Sequence, residues 1–220
     1  DRPEKIAGAT AETVTERFFK LLREAKSEVI LVSPYFVPGA EGVERLRELR
    51  SRGVEVRIVT NSTASSDEPL VNVGTARYRL ALLQMGAKLY EVESVRLKRD
   101  ERLRGLLGSS SGRLHAKLAL IDHKRVLVGS MNLDPRSSRT NTEIGIGVLS
   151  EELAHRLVSA YRLDEPETVY EVRLKADGHS IEWVGRDESH EERLDFAPAT
   201  GWLQRLRLFM LGLFIPEDLL

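Results

Sequence analysis
The chain has 220 residues, 41% of them hydrophobic and 30% charged, which is enough to bury the core of one domain with a small addition and excludes a disordered or fibrous class. Its 33 Lys and Arg against 34 Asp and Glu leave a formal net charge of -1, so there is no global basic field to argue for nucleic acid. With no cysteine, disulfides, thiolate metal sites and cysteine catalysis are excluded; the sequence also carries no signal-peptide pattern and no apolar run long enough to span a bilayer.

The apolar positions Val14, Phe18, Leu21, Leu22 and Ala25 predict a helix over residues 10–26, with Thr10 or Thr13 as its cap. Residues 29–32 read as a short buried strand that delivers Ser33, Pro34, Tyr35 and Phe36 at its C-terminal end, where open α/β sheets bind ligands. From pattern alone, Tyr35 and Phe36 read equally well as groove lining or as loop aromatics packed on the core. A helix over 42–52 closed by Gly53, a strand over 54–60, a polar loop over 61–69, a helix over 70–85 closed by Gly86 and a strand over 87–92 follow. This alternation predicts an α/β fold, a mixed sheet flanked by helices on both faces. The charged stretch 95–112, with Arg96, Lys98, Arg99, Arg102 and Arg104, reads either as a loop that steers an anionic substrate or as a solvated connector.

Residues 113–147 hold the candidate chemistry. On a strand, His115 and Lys117 share a face while Leu114, Ala116 and Leu118 take the other. The apolar run 117–121, the turn Asp122-His123-Lys124 and the run 126–128 read as a hairpin that brings Gly129, Ser130 and Asn132 back beside His115; Glu143 opens a third apolar run. Such a set suits phosphodiester chemistry. A neutral imidazole can attack phosphorus or protonate a leaving alkoxide, a carboxylate can fix its tautomer, and Lys117 and Asn132 can hold phosphoryl oxygens. The other histidines, His123, His155, His179 and His190, have no partner at a recognisable spacing and read as surface or turn residues; no metal-ligand cluster is visible.

A helix over 151–161 turns Leu153, Leu157, Val158 and Tyr161 inward. From residue 166 the style changes. Strands over 169–174 and 180–184 around Asp177-Gly178 predict a hairpin that reads as an appendage to the sheet. The chain therefore divides into residues 1–165, the sheet and its helices, and 166–220, a hairpin and a tail. The tail from Trp202 onward is apolar almost all round, interrupted by Arg205 and Arg207. It reads as a helix buried in a groove or, preferably, as an interfacial membrane helix too short to span.

His115-x-Lys117-x4-Asp122, then Gly129-Ser130-x-Asn132 and Asn141-Thr142-Glu143, resembles the HKD motif of the phospholipase D superfamily. The segments Ser33–Gly39, Ala76–Arg79, Asp134–Ser137 and Ile215–Glu217 extend the resemblance to the C-terminal half of bacterial cardiolipin synthases, most like the cardiolipin synthase C type. It implies a phosphatidyltransferase working through a phosphohistidine, with no cofactor and no metal. His115 would be nucleophile or general acid/base, Lys117 and Asn132 the phosphate ligands, and Glu143 the residue that orients His115. Gly129, Ser130, Tyr35 and Phe36 would touch substrate. Asp122 supplies the motif's last letter, but seven residues of strand span roughly 20 Å, so a structural role is expected for it.

Family members pair two such motifs. Here there is one H-x-K, and the first residue is Asp1, so the chain reads as an excised half whose partner is the missing N-terminal half or a second copy. The implied substrate is phosphatidylglycerol or phosphatidylethanolamine at a bacterial membrane surface, with the protein peripheral to it. Two alternatives are a homodimeric phosphodiesterase or nuclease and a catalytically silent membrane-docking module. The sequence departs from the family pattern near Asn72 and Thr75, where a histidine and a tyrosine are usual.

Overall fold
The computed structural model describes residues 1, 5, 7–8, 13–66, 68–94, 113–161, 169–187 and 190–214. The charged stretch 95–112 and the segment 215–217 lie outside them. In chain order the elements are α1 (Val14–Arg23), β1 (Glu28–Val32), α2 (Gly39–Ser51), β2 (Glu55–Asn61), α3 (Pro69–Gln84), β3 (Lys88–Val92), β4 (Leu118–Ile121), β5 (Arg125–Gly129), α4 (Pro135–Arg139), β6 (Gly145–Leu149), α5 (Glu151–Tyr161), β7 (Val169–Leu174), β8 (Ile181–Asp187), β9 (His190–Leu194) and α6 (Trp202–Phe214).

The strands form one mixed sheet in the order β6-β5-β4-β1-β2-β3-β7-β8-β9. β1, β2 and β3 are parallel, linked by α2 and α3, while β4 runs antiparallel to β1. Every residue of β1 is buried, as a near-continuous apolar run requires when both faces of a sheet are covered. One face packs Leu31, Ile58, Ala119 and Leu127 against Leu22 of α1, Leu46 of α2 and Leu82 of α3. The other packs Ile30, Val32, Leu120 and Val126 against Ala154 of α5. Thr13 caps α1 by accepting the Glu16 N–H at 3.1 Å.

Three expectations need correction. The hairpin after residue 166 is no appendage, because β7 pairs antiparallel with β3 and carries the sheet onward through β8 and β9. Without it, the buried strand β3 would present a row of unpaired N–H and C=O groups to solvent. A buried ion pair locks the junction: Glu91 on β3, 0% exposed, accepts from Arg79 Nε of α3 at 2.6 Å and from Trp183 Nε1 of β8 at 2.9 Å. In α5, Leu153 is 38% exposed and Ala154 is buried in its place, while Leu157 and Val158 pack against the core as expected. Lastly, β4 begins at Leu118, beyond His115 and Lys117. Its partner β1 ends at Val32, Ser33 turns its N–H to Val59, and Pro34 has no N–H to give.

α6 lies along α3, where Arg77 donates to the Gly212 carbonyl at 2.8 Å and Leu208 and Leu211 pack with Val37, Val71 and Val73. Its other side is bare: Trp202, Leu203, Leu206, Phe209, Met210, Leu213 and Phe214 are all exposed. Among the described residues no helix is long and apolar enough to cross a membrane.

Candidate active site
The site lies at the rim where β1 ends, β4 and β6 begin and β5 finishes. The lead-in to β4 belongs to no ladder, so something else must hold it. Asn61, at the end of β2, does so: its side chain accepts the Leu114 N–H at 3.0 Å and donates to the Leu114 carbonyl at 3.1 Å. Leu114 is buried, and this bracket fixes the backbone one residue before His115. The imidazole is exposed and makes no hydrogen bond among the described residues. Lys117 Nζ donates to the His115 carbonyl at 3.0 Å. Partial burial lowers the pKa of Lys117, while the carboxylates of Glu143 and Asp134 work the other way and supply its nearby negative charge.

Glu143 is 6% exposed and accepts a short hydrogen bond from the Ser130 hydroxyl. Ser130 also takes the Ile144 N–H at 3.1 Å. Gly129 is demanded by sterics, since a Cβ there would lie 2.2 Å from the Ile144 carbonyl oxygen; its N–H donates to the Lys117 carbonyl at 3.2 Å. Segment 33–37 lies beside 131–134 through a Phe36–Leu133 bridge, and Ser33 Oγ accepts the Leu133 N–H at 3.2 Å. Asn132 is held by its backbone N–H on Ser137 Oγ at 3.1 Å. Its side-chain oxygen is buried and has no partner among the described residues, so the fold leaves part of the amide's bonding capacity unused. Phe36 is sunk in the core, 1% exposed, and forms the floor of a cavity of about 520 Å³ that Asn132 also lines. Tyr35 is half-buried against Val37 and Val71.

Asp122 stands at the opposite end of β4, with φ 52°. Its carboxylate accepts the backbone N–H groups of Lys26, Ser27 and Glu28 at 3.0, 2.8 and 3.0 Å, and the Ser27 hydroxyl at 2.8 Å. Partial burial raises its pKa, these four donors lower it more, and the net shift is downward. Next to it, His123 pairs with Glu28 at 2.8 Å and stacks on His155, ring centroids 5.6 Å apart. No group of residues that could hold a metal occurs among the described residues. Asn72 and Thr75, where the sequence departs from the family pattern, are buried, and Asn72 donates to the Thr63 carbonyl at 3.1 Å.

Several residues that shape the site escaped the sequence reading. Asn61 is one. Asp134 is another: it caps α4 by accepting the Ser137 N–H at 2.7 Å, and burial, with Glu143 nearby, pushes its carboxyl above the usual range. Lys5 is a third, donating to the carbonyls of Ser137 and Asn141 at 2.7 and 2.9 Å and so tying down the loop before Glu143. No local periodicity marks these contacts; a polar residue just past a strand end and the Asp-Pro pair of an N-cap were the available signals.

An imidazole, an ammonium, an amide and a buried carboxylate thus share one end of the mixed sheet. The family profile "Cardiolipin synthase, PLD-like domain" matches residues 18–162, and the chain belongs to that family. It is 36% identical over 207 residues to "Cardiolipin synthase C" of Escherichia coli (strain K12), covering 93% of this chain and 43% of that protein. With "Cardiolipin synthase 1" of Staphylococcus aureus (strain COL) it shares 32% identity over 147 residues, 67% of this chain and 26% of that one. The chain thus spans less than half the length of these curated relatives. Two solved structures share the fold. The phospholipase D family member Nuc from Salmonella typhimurium has a TM-score of 0.56 at 16% identity, over 72% of this chain and 90% of that one. The phosphatidylserine synthase of Haemophilus influenzae Rd KW20 has a TM-score of 0.58 at 12% identity, over 96% and 46%.

Proposed function
We propose that this chain is the C-terminal half of a phosphatidyltransferase, with His115, Lys117, Asn132 and Glu143 forming one of two facing half-sites. The observation that carries the reading is the rim itself, where Lys117 stands beside His115 with buried Glu143 and Asp134 close enough to act on its charge. One histidine attacks the phosphorus of a phospholipid and the other protonates the departing glycerol oxygen. A lipid alcohol, deprotonated by the second histidine, then displaces the first, so phosphatidyl transfer proceeds in two steps. Lys117 neutralises the phosphoryl oxygens as charge develops. A half-turn of the Asn132 amide exchanges its unused oxygen for a nitrogen donor toward the same oxygens. Glu143 orients His115 once substrate draws the ring inward, since catalytic hydrogen bonds tighten in the complex.

The relatives' names, cardiolipin synthases, support a lipid substrate, and the length relation supports a missing second half or a second copy as the partner. Expressing the chain with and without such a half, and following lipid-phosphate exchange by mass spectrometry, tests this. Exchange and a covalent phosphatidyl-histidine in the joint sample alone are expected; their absence from both samples favours a docking module without chemistry. The chain sits at a membrane surface through α6, whose bare stripe repeats at Trp202, Leu206, Phe209 and Leu213, the spacing of a helix lying in the interface.

A further inference from the structure
We propose that the apolar cavity between α1 and the β4–β6 end of the sheet receives one acyl chain of the phospholipid whose phosphate lies against Lys117. This deepens, and rests on, the phosphatidyltransferase reading. The cavity is about 240 Å³, room for roughly eight methylene-sized groups if each takes ~30 Å³, as a water does in the liquid. Val14, Phe18 and Leu21 of α1 roof it; Leu127 and Met131 lie across from them.

The hollow is written into β6. Residues 145 and 147 share a strand face, and both are glycine. A Cβ on Gly145 would come within 3.3 Å of Val14 Cγ1, and one on Gly147 within 3.2 Å of Leu127 Cδ2. Side chains at these two positions would fill the gap beneath α1, and none is there. The hollow is open on one side, with Ile144 and Ile146 exposed along it, so an apolar chain laid there removes apolar surface of both partners from water.

Charge selects the occupant. Among the described residues the only charged ones lining the cavity are Lys117 and Arg17, and Lys117 is the cation of the phosphate site. The ligand that fits is therefore anionic at one end and apolar along the rest. A phospholipid has this form, with its phosphate a few bonds from the start of an acyl chain. Burial of the chain also fixes which ester of the phosphate meets His115, because the glycerol joined to that chain must point toward α1.

The test measures binding of a series of single-chain lysophosphatidylglycerols of increasing length, each below its micelle concentration, by titration calorimetry on the folded chain. Glycerophosphoglycerol serves as the chain-free reference. Each added methylene should tighten binding about fourfold until the cavity fills at roughly eight. Leu21→Trp and, independently, Gly147→Leu should flatten that slope while leaving glycerophosphoglycerol affinity unchanged. A flat series in the parent chain, or an undiminished slope in both folded variants, overturns the assignment. So does loss of self-association in the plugged variants by light scattering, since the cavity would then seat a protein segment. Failure of phosphatidyl transfer with the slope intact overturns the catalytic reading alone and supports the cavity assignment.

Discussion

Replacing Asp122 with Asn separates the motif's last letter from its chemistry. The carboxylate serves the backbone N–H groups of Lys26, Ser27 and Glu28 and the Ser27 hydroxyl, tying the β4–β5 turn to the entry of β1. Asparagine accepts the φ of 52° as readily as aspartate does, so backbone strain does not enter. What changes is charge: hydrogen bonds to an ionised acceptor are worth about 1.5–3 kcal/mol against about 1 for neutral ones, and one oxygen becomes a donor facing the Lys26 N–H. Solvent screens this partly exposed cluster, which places the cost near ~1–2 kcal/mol. Urea unfolding should read it as a midpoint shift of roughly 0.5–1 M with unchanged slope. The folded pKa lies below the ordinary value of 3.8. The stabilisation is therefore full above that value and fades as pH falls through the folded pKa, so the parent and Asp122→Asn stabilities should converge in acid. Turnover of the assembled enzyme should stay within about twofold, because roughly 20 Å of strand separates Asp122 from His115. A folded Asp122→Asn protein with an unshifted urea midpoint and the turnover of His115→Ala would refute the reasoning.

Glu91→Ala leaves Arg79 and Trp183 Nε1 buried without their acceptor and should cost about 3–5 kcal/mol, read by urea unfolding; a loss under ~1 kcal/mol would mean that water takes its place. The proposed role of Lys117 is to bind phosphate as an ammonium, and burial holds its pKa below 10.5. The alkaline limb of kcat/KM should therefore begin earlier than for an ordinary lysine, activity falling as pH rises through the lowered value, and Lys117→Arg should remove that limb. An identical limb in the arginine variant would assign it to another group. Deleting residues 201–220 should abolish flotation with phosphatidylglycerol liposomes, and undiminished flotation would show that α6 is not the membrane contact.

The proposed catalytic set was legible as a cluster because its members lie close along the chain and an antiparallel hairpin returns them to one rim. Ser130 and Asn132 are returned by the tight β4–β5 turn, a local property, whereas His115 and Lys117 precede β4 and their backbone is fixed at Leu114 by Asn61. The parallel core read equally well, since β1 is a short apolar run and β2 an alternating one, both between helices with clear stops. The misses are long-range. Nothing near Asn61 says that its side chain will bracket Leu114, 53 positions away. β9 has no apolar alternation to mark it, since an edge strand can alternate charges, and its partners sit across the ladder, as Arg193 does with Glu182 at 3.2 Å. The hairpin's place in the sheet depends on Trp183 reaching Glu91, a contact across 92 positions. Likewise, the tail's composition could not tell a buried helix from a surface one. The structure does both, seating Leu208 and Leu211 and leaving the opposite stripe bare.

The central claim, that this rim is half of a phosphatidyl-transfer site, is tested most directly by a chimera. This chain replaces the matching segment of the Escherichia coli cardiolipin synthase C, and cardiolipin made in cells lacking their own synthases is quantified by lipid mass spectrometry. The chimera should make cardiolipin, and His115→Ala should cut it by about 10²–10⁴-fold or more. A folded, membrane-bound chimera that makes none, or one that His115→Ala leaves fully active, would contradict the account.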